Sequence, residues 1–284
     1  MRRAATLAEL IVALTVLGVV LALFARTASG HERWSRQLHD AQDARRVVDQ
    51  VVDILAVPLS TVSPELGDLV ANQASDSAVE MRTLVAAGIA CDVTGRVAHL
   101  AGVAGAAGTG MAYSAQPARG DRIALLDERA DSARWLVRVV TSVGADSACP
   151  PGQGRAGIAV TLDSATDLAG VAVVRVTRRV RFNLYRGGDR LWYLGFRDWD
   201  DEAGRFNTVQ PVAGPLAPYR ADSASGLRFA WFDSAGARIA TPVTAPESAW
   251  RVDVSARAAP AAPAASASVE GSRTVALRRA PPRP

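Results

Sequence analysis

Residues 1–25 read MRRAATLAELIVALTVLGVVLALFA, and this stretch decides the architecture. No charge occurs from Leu10 to Ala25, and the apolar run counted back to Ala4 holds a single ionisable group, Glu9. A helix over 7–25 is about 28 Å long at 1.5 Å per residue, which matches a bilayer hydrocarbon core of about 30 Å. Arg2 and Arg3 precede the span, so the positive-inside rule holds the N-terminus in the cytoplasm and exports everything after it. The expected location is a single pass through the cytoplasmic (inner) membrane with an outer C-terminal head. Glu9 is out of place in such a helix, because a carboxylate at membrane depth is costly unless a dedicated partner compensates it.

The helical pattern does not stop at the membrane. Between residues 26 and 53 there is no proline, and Trp34, Leu38, Ala41, Ala44, Val48, Val51 and Leu55 recur in steps of three and four, one face of a helix. Pro58 is expected to end it, since proline lacks a backbone donor and restricts the residue before it. The prediction is a helix over 5–57, roughly 80 Å long. Its first half lies in the membrane and its amphipathic second half packs on the head.

Beyond it, 58–120 reads as a variable connecting region with short strands at 81–85, 88–92 and 97–101. The stretch 121–257 reads as a β-rich head, with hairpins across Arg186-Gly187-Gly188-Asp189 and Asp233-Ser234-Ala235-Gly236. An Ala/Pro-rich loop and tail fill 258–284, with a last strand at 274–277. The fold class expected is α+β: one long N-terminal helix packed against a mainly antiparallel β head.

Two resemblances sharpen this. Arg2 and Arg3 followed by Thr6-Leu7-Ala8-Glu9-Leu10-Ile11-Val12-Ala13-Leu14 resembles the type IV prepilin cleavage and methylation signature. The resemblance implies a leader over 1–4, cleavage between Ala4 and Ala5 by a prepilin peptidase, and N-methylation of Ala5 by the same enzyme. It further implies assembly through Thr6, Leu7 and Glu9, with Glu9 pairing with the N-terminal amine of a neighbouring subunit. Ala4 and Ala5 stand where the family usually has Gly and Phe. Further along, 181–185, 209–218, Gly226 to Asp233 with Gly236, 250–254 and 274–279 are similar in order to the heads of PilW-type minor pilins. The J-type minor pseudopilins of type II secretion share that order. A pilin-like fold and a structural, non-enzymatic subunit of a pilus or pseudopilus are what these resemblances imply. The implied partners are other pilins or pseudopilins, the processing peptidase, an inner-membrane assembly platform and membrane lipid. The competing reading is a signal-anchored extracytoplasmic enzyme or ligand-binding β-domain, for which Ala25, Thr27 and Ala28 offer signal-peptidase-like small residues.

Composition narrows the chemistry. All 32 basic residues are arginine, the net charge is +4, and the arginines interleave with Asp and Glu without a stripe, so no nucleic-acid partner is expected. Cys91 and Cys149 permit one disulfide in an exported domain, and the sequence leaves that bond open. No CxxC or His-rich spacing points to a metal, and no cofactor loop is present. The cluster Asp198, Asp200, Asp201 and Glu202 lacks EF-hand spacing and reads as a solvated turn. His31 and His39 fall on the stalk and His99 on a strand, and no serine occupies a Gly-x-Ser-x-Gly elbow, so no catalytic residue is assigned. Trp192, Trp199 and Trp231 read as core rather than as a sugar-binding surface.

Overall fold

The computed structural model describes residues 7–102, 110–128, 133–145, 149, 157–166, 168, 172–222, 224–259 and 269–278, with backbone alone at 7–10 and 13. A single helix, α1 (Leu7–Thr61), opens the chain. It runs on past Pro58, one turn beyond the expected end. Pro58 deletes one backbone donor, but the carbonyls of that last turn are answered in other ways. Ser60 Oγ donates to Val57 O at 2.7 Å, Thr61 Oγ1 to Pro58 O at 2.8 Å, and Arg175 Nη2 to Thr61 O at 2.8 Å. Leu55, Leu59 and Val62 are fully buried, so tertiary packing outweighs the proline penalty.

The strands follow in chain order: β1 (Leu69–Ala74), β2 (Ala78–Thr94), β3 (Val97–Leu100), β4 (Ala112–Tyr113) and β5 (Arg122–Asp127). Next come β6 (Arg134–Ala145), β7 (Ile158–Leu162), β8 (Ala172–Arg186), β9 (Trp192–Asp200) and β10 (Arg205–Phe206). The last are β11 (Gln210–Leu216), β12 (Leu227–Phe232), β13 (Arg238–Ile239), β14 (Arg251–Arg257) and β15 (Glu270–Ala276). Every pairing between them is antiparallel. The chain is therefore α+β: a long N-terminal helix followed by antiparallel sheet.

Within the region expected as a connection over 58–120, the described residues carry β1 to β4. Two short strands read at 81–85 and 88–92 are one strand, β2, whose register shifts between Leu84 and Ala86. β2 is long enough to pair with β8 along most of its length and with β3 at its far end. The succession β2, β3, β7, β6, β5, β8 thereby closes on itself as a six-stranded ring. Val93, Leu100, Ile123, Leu125, Val140, Val160, Leu162, Val174 and Val176 form its core. A disulfide joins Cys91 on β2 to Cys149, beyond β6.

A second core lies where α1 ends. Val48, Val51, Val52, Leu55 and Leu59 pack with Met81, Phe182 and Leu194 of the large sheet and with Phe229, Trp231, Val252 and Val254 of the four-stranded sheet β13-β12-β14-β15. Close approach of β15 to the helix depends on Gly271, where a Cβ would stand 2.5 Å from Val48 Cγ1. Arg273 Nη1, on the same strand, lies 2.5 Å from Asp53 Oδ1 of the helix. The last strand, expected at 274–277, spans Glu270–Ala276, because its full length pairs with β14.

Candidate functional site

The feature that sets this molecule apart is the part of α1 that touches nothing. Only from Ala44 onward does the helix bury residues against the head. Before that point its large apolar side chains stand in the open, from Ile11 at 53% exposed to Phe24 at 73%. An exposed apolar face that long marks a surface suited to contact with a membrane or a partner. Among the described residues it is the one helix long and apolar enough to cross a membrane. Its hydroxyls are folded inward: Thr15 Oγ1 donates to Val12 O at 2.8 Å and Thr27 Oγ1 to Leu23 O at 2.9 Å. That self-satisfaction is what a medium without hydrogen-bond partners requires.

The character of the helix changes at Arg26. From there its surface carries ion pairs one turn apart, Arg36 with Glu32 at 3.3 Å and Arg46 with Asp43 at 3.0 Å. Each such pair adds a few tenths of a kcal/mol to an exposed helix. The predicted apolar stripe splits in two: Val48, Val51 and Leu55 are buried, whereas Trp34, at 57% exposed, and Leu38 extend the same face beyond the head. His31 and His39 sit on this exposed stretch.

Of the predicted assembly residues, Leu7 and Glu9 lie in the first turn of α1. Ala4, Ala5 and Thr6 fall outside the described residues, as do the side chains of Leu7 and Glu9.

The helix is locked to the head by a buried polar knot that the sequence did not announce. Arg175 Nη1 lies 2.8 Å from Asp68 Oδ2, both side chains are almost solvent-free, and Arg175 also caps the helix end at Thr61 O. Asp68 Oδ2 accepts the Ser63 backbone N–H at 2.9 Å. Burial pushes the Asp68 carboxyl above its ordinary value, against the pull of Arg175 and the Ser63 hydrogen bond.

A cleft of about 360 Å³ lies between the loop Ala118–Asp121 and the β9–β10 hairpin. Asp121 grips Arg178 with both oxygens, at 2.9 Å each. Burial raises the pKa of Asp198 at its wall, with Arg178 pulling the other way. The acidic residues of the hairpin are used locally: Asp200 Oδ1 accepts the Ala203 N–H at 2.9 Å, and Asp201 faces Arg119 at 3.6 Å. No group of three His, Cys, Asp or Glu among the described residues is placed to hold a metal. His99 is on β3, remote in the chain from the cleft. Trp231 is fully buried, Trp192 packs against the helix-side core, and Trp199 is covered by the Arg179 guanidinium, 3.9 Å from its ring centre.

No family model matches the chain, and neither any curated protein nor any solved structure does.

Proposed function

We propose that the chain is a minor pilin or pseudopilin, a structural subunit built into a type IV pilus or a type II secretion pseudopilus through its N-terminal helix. The observation that carries this reading is the division of α1: its first part is apolar on all sides and uncovered, and its last part is the spine of the head core. A helix needed only as an anchor has no reason to continue unbroken into the core. A helix that must stack beside copies of itself has one, because continuity transmits the position of the buried part to the head. The signature from Thr6 to Leu14 supports the same reading.

In this account the subunit waits in the cytoplasmic membrane with its head outside, is cut between Ala4 and Ala5, and is methylated at Ala5. Glu9 then pairs with the amine of a neighbour. An unpaired buried carboxylate costs several kcal/mol, so the pairing fixes subunit register. The partners are other pilin-like subunits, the processing peptidase, the assembly platform and lipid, and the subunit performs no catalysis. Glu9→Gln is expected to insert in the membrane normally and to be depleted from filaments. Equal incorporation of the variant and the parent in sheared filament fractions would contradict the proposal.

A further inference from the structure

Among the described residues, β15 is the outermost strand of the four-stranded sheet, with β14 on one side of it and no strand on the other. Its pairing with β14 runs over all seven of its residues without a register shift. The ladder continues at both ends, where Leu277 N donates to Trp250 O at 2.9 Å and Ala258 N to Val269 O at 3.0 Å. In an antiparallel pair, opposed residues alternate between exchanging hydrogen bonds and turning their N–H and C=O away. Gly271, Arg273 and Val275 therefore bond to β14, and Glu270, Ser272, Thr274 and Ala276 aim their backbone groups outward. All four of these are exposed, and no backbone partner among the described residues answers them.

The other strand edges among the described residues are blunted. β1 is kinked at Asn72, whose φ is 61°, and its edge is taken up by Val243. Asn72 N donates to Val243 O at 2.8 Å and Val243 N to Ala74 O at 2.9 Å. β4, β10 and β13 are two residues each, and β11 carries Pro211 and Pro215 and slips register twice. Short strands, bulges and prolines are how sheets prevent edge-to-edge pairing. β15 has none of these protections.

A second copy of this chain does not fit the edge. β15 runs alongside α1 in the same direction, with Gly271 against Val48, Arg273 on Asp53, and Arg278 N donating to Val62 O at 2.9 Å. An antiparallel pairing of two β15 strands would turn the two helices head to tail, so both could not enter one membrane. An in-register parallel pairing would set Arg273 beside Arg273 and Glu270 beside Glu270, like charges side by side.

We propose that the open edge of β15 takes up an extended segment of a second, different protein as an added antiparallel strand. Main-chain bonds to the four outward residues supply affinity, and cross-strand side chains supply choice. The register fixes that choice. An acidic residue stands opposite Arg273, which is 53% exposed, and a basic one, three positions further on, opposite Glu270, which is 46% exposed. β-Branched residues suit the remaining positions. The inference needs only the folded head and does not depend on filament assembly.

The test uses the full chain in detergent micelles and the peptide Thr-Val-Thr-Glu-Thr-Val-Lys, read residue by residue by amide hydrogen exchange. With peptide at about ten times its dissociation constant, the amides of Ser272 and Thr274 are expected to exchange about elevenfold more slowly. Exchanging Glu and Lys in the peptide is expected to raise the dissociation constant about fivefold. N-methylation of the third and fifth peptide residues removes donors that face β15 and is expected to abolish the protection. N-methylation of the second and sixth, whose donors face away, is expected to leave it. Ser272→Pro deletes one outward donor and no bond to β14. It is expected to keep the thermal unfolding of the parent and to weaken the peptide about tenfold. The proposal is overturned if the peptide protects neither amide, or if the two methylated peptides behave alike. It is equally overturned if Ser272 and Thr274 are already protected in the chain alone, which would mean that its own residues or a second copy cover the edge.

Discussion

Arg175, on β8, reaches Asp68 at 2.8 Å and the carbonyl of Thr61 at the same distance, so one guanidinium ties the end of α1 to both the loop after it and the sheet. Burial has lifted the Asp68 pKa above its ordinary 3.8, so the folded protein holds that proton to higher pH than the unfolded chain does. The consequence for Asp68 is a stability term that declines as pH rises through the interval above 3.8. Arg175→Met removes the main opposing charge and widens that interval. It is expected to cost about 3–5 kcal/mol at neutral pH and progressively less as Asp68 takes up its proton on acidification. Adding Asp68→Leu should recover part of the neutral-pH loss. Urea unfolding of both variants at neutral and mildly acidic pH measures this, and an equal cost at both pH values would contradict it.

The contact between β15 and the helix makes a reciprocal prediction. Gly271→Ala places a methyl 2.5 Å from Val48 Cγ1 and is expected to destabilise by about 1–3 kcal/mol through overpacking. Val48→Ala in the same chain opens the space again. The double variant should therefore be more stable than the sum of the two single losses, and a double-mutant cycle that closes additively would refute the contact.

The disulfide closes a loop over a sequence separation of 58 residues and pins one end of the ring. Chain-entropy bookkeeping puts its contribution near 4 kcal/mol at most. Reduction, or Cys91→Ser with Cys149→Ser, is expected to lower the urea midpoint by an amount equivalent to about 2–4 kcal/mol. An unchanged midpoint under reductant would mean the bond constrains nothing.

The two parts of α1 should separate in deletion experiments. Since burial begins only at Ala44, a chain starting at Arg26 keeps the whole helix-side core and is expected to be soluble without detergent, with unchanged thermal unfolding. A chain starting at Leu59 loses Val48, Val51, Val52 and Leu55 and should not fold, since single truncations of such residues cost about 2–5 kcal/mol each.

The helix was legible because its pattern is local: steps of three and four between Trp34 and Leu55 need no knowledge of the partner. The hairpins across Asp189 and Asp233 were legible for the same reason, through their turn residues. Closure of the ring was not, because β2 and β8 meet across about a hundred residues and nothing in either strand names the other. The persistence of α1 past Pro58 was hidden because Arg175, which caps it, lies far away in sequence. The open edge of β15 was hidden in the same way, because only its register with β14 shows which of its backbone groups point outward.

The central claim concerns the N-terminus, and intact-mass and peptide mass spectrometry of the membrane-derived protein tests it most directly. The account predicts a mature chain beginning at Ala5 with one added methyl group on its amine. A chain that retains Met1, or one that begins beyond Ala25, would contradict it.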